Sequence, residues 1–157
     1  MNRRTSLSVL SASLLAVSFA ALSAAPSMKS VAGTYSVVKV EAYGDNARGQ
    51  LILTPDGRYS LVLGRATLPK YAAGSRTKGT PEEMKAVIDG SIAHVGRYSI
   101  GDGGKSITFH IDMSTFPNWD GTTAKRALKV EGDKLTYTVT TPSAGGPPND
   151  VVWKRVK

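Results

Sequence analysis

The stretch RGQLILTPDGRYSLVL, Arg48 to Leu63, reads as two short strands around a tight turn. Pro55, Asp56 and Gly57 in TPDGR are residues that fix or tolerate the dihedral angles of a reversal between antiparallel neighbours. In the second run side chains alternate, so Tyr59, Leu61 and Leu63 share one face while Ser60 and Val62 share the other. A strand with one apolar face must bury it against something, and the remainder of the chain supplies more of the same.

Eight runs rich in Val, Ile, Tyr and Thr follow this pattern: Thr34 to Ala42, Gly49 to Thr54, Arg58 to Gly64, Ala93 to Ile100, Ser106 to Thr115, Thr122 to Glu131, Lys134 to Thr141 and Asp150 to Val156. GDGGK at Gly101 to Lys105 and EGDK at Glu131 to Lys134 are further tight turns, so consecutive strands should pair. The expected fold is all-β, an eight-stranded antiparallel up-and-down barrel, because closure removes the exposed sheet edges. A barrel of this size can hold one small ligand.

One short helix is expected between the third and fourth strands, in GTPEEMKAVIDGS. Thr80 is its N-cap, Pro81 its first residue, Glu83 the capping-box partner and Asp89-Gly90 its end. Met84, Val87 and Ile88 form an apolar stripe, which should pack across the barrel. The irregular segment Gly64 to Lys78 is long enough to serve as a binding lid or rim, and Pro142 to Asn149 is a second loose loop.

At the N-terminus, Arg3 and Arg4 precede an apolar run from Leu7 to Leu22 and then small residues, the pattern of a secretory signal peptide over residues 1–24. Residues 25–157 are then a single domain, periplasmic or secreted, with no membrane span after cleavage. Without Arg3 and Arg4 the net charge of +8 falls to +6. Its basic residues are scattered singly, which gives no nucleic-acid footprint and only a mild preference for anionic partners. With no cysteine there is no disulfide, thiol nucleophile or Cys-bound metal.

Several segments together resemble the bacterial and fungal lipocalin-like domain proteins, a barrel family distant from true lipocalins. They are VAGTYSVVKVEA, RGQLILTPDGRYSLVL, AHVGRYSI, FPNWDGTTAKRALKVEGDKLTYT and the terminal DVVWKRV. Tyr35 stands where such chains usually place Trp in the opening Gly-x-Trp, in a barrel-floor role. The resemblance implies a fold and a cavity, and barrels of this shape serve as carriers, isomerases or cyclases.

Alternation assigns the lumen to the more apolar face of each strand. That face carries Tyr59, Leu61 and Leu63; His94, Gly96, Tyr98 and Ile100; Ile107, Phe109, Ile111 and Met113; Ala124, Arg126, Leu128 and Val130; and Leu135, Tyr137 and Val139. The candidate ligand-binding residues are Tyr59, Leu61, His94, Tyr98, Phe109, Ile111, Arg126, Leu128 and Tyr137. Arg126 is the polar one of most interest, since a buried guanidinium calls for an acid or an anionic ligand unless it snorkels to the rim. His94, His110 and Asp112 are the candidate acid–base groups. His110 and Asp112 should point outward as a solvated pair unless a bulge turns them in. Neither histidine has the spacing of a metal site, and no cofactor is implied. Tyr35, Trp153 and Arg155 form an expected closed-end cluster, and Trp119 in FPNWDG anchors a turn over a barrel end or closes over a ligand.

The leading expectation is an exported binder of a hydrophobic, or hydrophobic and anionic, small molecule. The alternatives are a cofactor-free isomerase, cyclase or hydrolase using His94 or the His110/Asp112 pair, and a solid-barrel interaction module of the cell envelope.

Overall fold

The computed structural model describes residues 24–157. Residues 1–23, on which the export leader is expected, lie outside the described residues. A helical turn α1 (Met28–Val31) leads into β1 (Gly33–Val40), β2 (Arg48–Leu53), β3 (Arg58–Gly64), α2 (Pro81–Asp89), β4 (Ser91–Gly101), β5 (Ser106–Ser114), β6 (Thr123–Glu131), β7 (Lys134–Val139) and β8 (Asn149–Arg155). Each strand pairs antiparallel with the next and β8 returns to β1, so the sheet is a closed eight-stranded barrel. None of the described helices is long and apolar enough to cross a membrane.

An up-and-down meander puts alternate connections at opposite ends. The β2–β3, β4–β5 and β6–β7 turns are tight and lie at one pole; the four longer connections lie at the other. The tight-turn pole is closed by α1, a helical turn that the alternation pattern of the sequence does not reveal. Val31 is fully buried, the Tyr35 hydroxyl donates to the Val31 carbonyl at 2.6 Å, and the Tyr98 hydroxyl donates to the carbonyls of Thr54 at 2.8 Å and Met28 at 3.2 Å. Arg155 stacks 4.8 Å over the Tyr35 ring and donates to the carbonyls of Ala32 and Ser30. With Trp153 buried beside them, these groups make the closed-end cluster a solid floor.

The α2 cap matches its sequence signature. Thr80 Oγ1 accepts from the Glu83 N–H and Glu83 Oε2 accepts from the Thr80 N–H, while Glu83 Oε1 also holds the Ala72 N–H of the long loop at 2.9 Å. The helix does not lie across the barrel, however: none of its residues is buried and Ile88 is 73% exposed. Gly90 runs straight into β4 without a linker, and Ser91 Oγ donates back to the Val87 carbonyl, so α2 is held above the β3–β4 edge.

A second departure lies in β5. The apolar alternation Ile107, Phe109, Ile111, Met113 predicts four inward side chains, yet Met113 is 64% exposed. The β4–β5 register pairs Gly96 with Ile111 and Val95 with Met113, leaving Asp112 as an extra residue in a β-bulge. Asp112 and Met113 therefore both face out and Ser114 turns in. Gly96 makes this possible: a Cβ there would fall on the His110 carbonyl oxygen and lie 2.9 Å from the Asp112 nitrogen.

Candidate functional site

Between floor and mouth the lower part of the barrel is filled by side chains. Leu51, Leu53, Tyr59, Ile107, Phe109 and Leu135 close the lower lumen, and all are buried. Above them a cavity opens at the long-loop pole, with about 480 Å³ of atom-free space including its mouth. Its wall is mainly apolar, from Val40, Leu61, Leu63, Ile92, Val139 and Val151, with Tyr43, Trp119 and Pro142 to Ala144 around the rim. His94, Arg126 and Tyr137, with Tyr43, Ser143 and Asn149, supply the polar groups, and among the described residues no carboxylate lines it.

Arg126 enters from β6, where it shares the inner face with Leu128. It is 7% exposed, and among the described residues no carboxylate lies within ion-pair distance. Its guanidinium instead lies 5.2 Å from the Phe109 ring centre and 4.9 Å from that of Tyr137. Two aromatic faces and the nearby Tyr137 hydroxyl recover part of the hydration a cation loses on burial, and no carboxylate completes it. The Tyr137 hydroxyl and the Trp153 indole N–H are buried close to each other, neither at full hydrogen-bond geometry. Burial pushes the Tyr137 hydroxyl above the usual phenol range, against the pull of the Arg126 charge.

His94 faces in from β4 at 3% exposure and sits among Tyr59, Phe109 and Trp119, each ring edge-on to its own. The Tyr59 hydroxyl lies 2.8 Å from His94 Nδ1. Burial raises Tyr59 well above the usual phenol range, so its proton stays on, and with Nδ1 as its hydrogen-bond partner among the described residues the buried O–H is satisfied by donating there. That assigns the remaining imidazole proton to Nε2. Burial first, and then the Arg126 charge, push the His94 pKa down from 6.5 to about 3. A group this reluctant to take a proton offers the cavity an N–H donor and is a poor base at neutral pH.

This has a consequence for stability. The unfolded chain protonates His94 below pH 6.5 and the folded chain does not until about pH 3, so stability is complete above 6.5 and falls as pH drops through that window. The slope is about 1.4 kcal/mol per pH unit. Urea unfolding should show a loss of about 2 kcal/mol between pH 6.5 and 5, and His94→Gln should largely abolish it. Wild-type stability that is flat over this range would contradict the burial of a neutral imidazole.

Trp119 owes its position to the turn that carries it. Asp120 Oδ1 accepts from the Ser114 N–H at 2.7 Å, Thr122 Oγ1 donates to the Trp119 carbonyl at 2.7 Å, and Phe116 packs edge-on to the indole at 5.6 Å. The turn is thus anchored, and its Trp forms part of the rim.

Of the candidate ligand-binding residues, Leu61, His94, Arg126 and Tyr137 meet in this cavity. Tyr59 and Phe109 lie just beneath and touch His94 and Arg126, whereas Ile111 lines a separate recess in the barrel wall. Tyr98 and Leu128 are buried but are not part of the lining, and the Tyr98 hydroxyl is committed to the floor. His110 and Asp112 are exposed on the outer wall, with His110 Nδ1 3.3 Å from Thr123 Oγ1, and they do not meet His94. The Gly64 to Lys78 loop does not reach the cavity, whereas Pro142 to Ala144 do. Val40, Tyr43, Ile92 and Ser143 are lining residues absent from the candidates. The signal for them was loop length, since all the long connections of an even-stranded meander crowd one pole.

Over 84 residues the chain is 27% identical to a 4′-hydroxy-3′-methoxypropiophenone carrier protein of Aspergillus oryzae, spanning 50% of this chain and 76% of that protein. The pattern of the lipocalin-like domain family matches residues 28–156, from the α1 turn through β8. The closed barrel and this match cover the same residues, and the chain belongs to the lipocalin-like domain family.

Proposed function

We propose that this protein is an exported carrier of a small aromatic or otherwise hydrophobic molecule whose anionic or strongly accepting group is held by Arg126. The carrying observation is the guanidinium itself: buried, clasped by two aromatic rings, without a carboxylate partner, and open to an apolar cavity. Leaving a cation in such a place costs several kcal/mol unless something completes it, and a bound carboxylate, enolate, phenolate or carbonyl would do so. The His94 Nε2–H and the Tyr137 O–H are further donors in the same wall, which favours a ligand group that only accepts. The similarity to a carrier of an aryl ketone supports the same reading. Export to the periplasm or medium follows from the Arg3-Arg4 and Leu7 to Leu22 pattern.

Thermal-shift and native mass spectrometry measurements against matched ligands test the proposal. Aromatic acids and hydroxyaryl ketones should bind and raise the melting temperature, whereas the same skeletons without their oxygen groups should bind at least tenfold more weakly. Equal binding of the oxygen-free hydrocarbons would remove the anchor, and binding of none would remove the carrier.

A further inference from the structure

The barrel wall is not sealed all the way up. β6 is paired with β5 from Ser106/Ala127 to His110/Thr123, but with β7 only from Glu131/Lys134 to Leu128/Tyr137. Beyond Leu128 and Tyr137 the two strands part, and β7 continues against β8 alone through Val139/Asn149. The Leu128 N–H points to the β5 side, where it donates to the Lys105 carbonyl. Peptide groups alternate sides along a strand, so those of Thr123 and Lys125 face the gap without a ladder partner. Closure normally satisfies such groups in a barrel; here they are left to water or a ligand.

The gap opens into a recess of about 670 Å³ of atom-free space, including its opening to solvent. Thr122, Thr123, Thr140 and Thr141 border it, a polar lining unlike the apolar mouth cavity. Trp119, Arg126 and Val139 line both spaces, so the guanidinium stands where mouth cavity and side recess meet.

We infer that the β6–β7 slit is a second opening of the binding site and takes the hydrophilic half of a two-part ligand. This rests on the carrier reading above and narrows its ligand class to aromatic acyl conjugates. The aromatic body lies in the mouth cavity, the linking carbonyl accepts from Arg126, and a polar or anionic tail leaves between the strands over the threonine hydroxyls and free peptide groups. A compact acid would occupy only the first of these places.

The test compares 2-naphthoate with 2-naphthoylglycine by fluorescence titration and calorimetry on the protein as it stands. The glycine conjugate should bind at least fivefold tighter, and in Thr140→Trp, which fills the slit from an exposed position, the ratio of the two affinities should collapse toward one. Amide exchange at Thr123 and Lys125 gives a readout that needs no variant: the conjugate should slow it more than naphthoate does. Naphthoate binding with the conjugate excluded or no tighter, a ratio untouched by Thr140→Trp, or equal amide protection would overturn the slit while leaving the carrier reading in place. Binding of neither compound would overturn both.

Discussion

Arg126→Met should lower the affinity for an aromatic acid by about 100-fold while leaving the barrel folded and slightly more stable. A methionine keeps much of the packing of the arginine stem but offers no donor, so a ligand anion would enter an apolar wall unpaired. Truncating one partner of a buried charge pair costs about 2–5 kcal/mol of binding. Stability should move the other way. In the empty protein the guanidinium gives up hydration worth several kcal/mol and recovers only part of it, about 2 kcal/mol for a desolvated contact, from the faces of Phe109 and Tyr137. Replacing it should therefore raise the melting temperature by a few degrees, the trade expected where a binding residue is retained against the interest of the fold. Calorimetric titration and thermal unfolding of the same sample decide it. Unchanged acid affinity would refute the anchor, and a large loss of stability would make Arg126 a structural residue held by its two rings.

Gly96→Ala should be the most damaging small substitution in the barrel, costing about 3 kcal/mol or more. The three atoms nearest a new Cβ all belong to the backbone of β5, namely the His110 carbonyl group and the Asp112 nitrogen. No rotamer change relieves a clash with backbone, so the strands must separate or the bulge must shift. For a domain of this size the melting temperature should fall by on the order of 10 °C. Near-native stability of Gly96→Ala would show that the strands do not approach so closely.

The same glycine marks where the sequence was and was not legible. Alternation and turn residues specify the strands because a half-buried strand must be apolar on every second residue, and they give the inward direction of His94, Phe109 and Arg126. The rule fails at Met113, where the apolar pattern runs on through a bulge that has no alternation signature of its own. A glycine inside a neighbouring strand pattern is the available cue, and Gly96 is that residue. The α2 cap is legible because its hydrogen bonds are local, whereas its docking is not, since Ile88 carries no information about what lies above the β3–β4 edge.

Depth along the barrel was harder still. Alternation separates inside from outside but does not separate Tyr98 in the floor from His94 at the cavity, four residues apart on one strand face. Nor does it reveal that β6 and β7 part company above Leu128, which depends on where β7 turns away to follow β8. Site residues are thus readable as a face, and their level requires the assembled barrel.

An even number of strands also fixes where the domain can be held. β1 starts and β8 ends at the floor, and Pro26 packs there against Gly104, at 2.8 Å from its nitrogen to the position a Cβ would take. Both ends of the domain therefore leave from the pole opposite the mouth. A tether, tag or leader joined before Pro26 would hold the protein by its base with the entrance turned outward. Surface immobilisation through either end should consequently leave ligand capture at full strength.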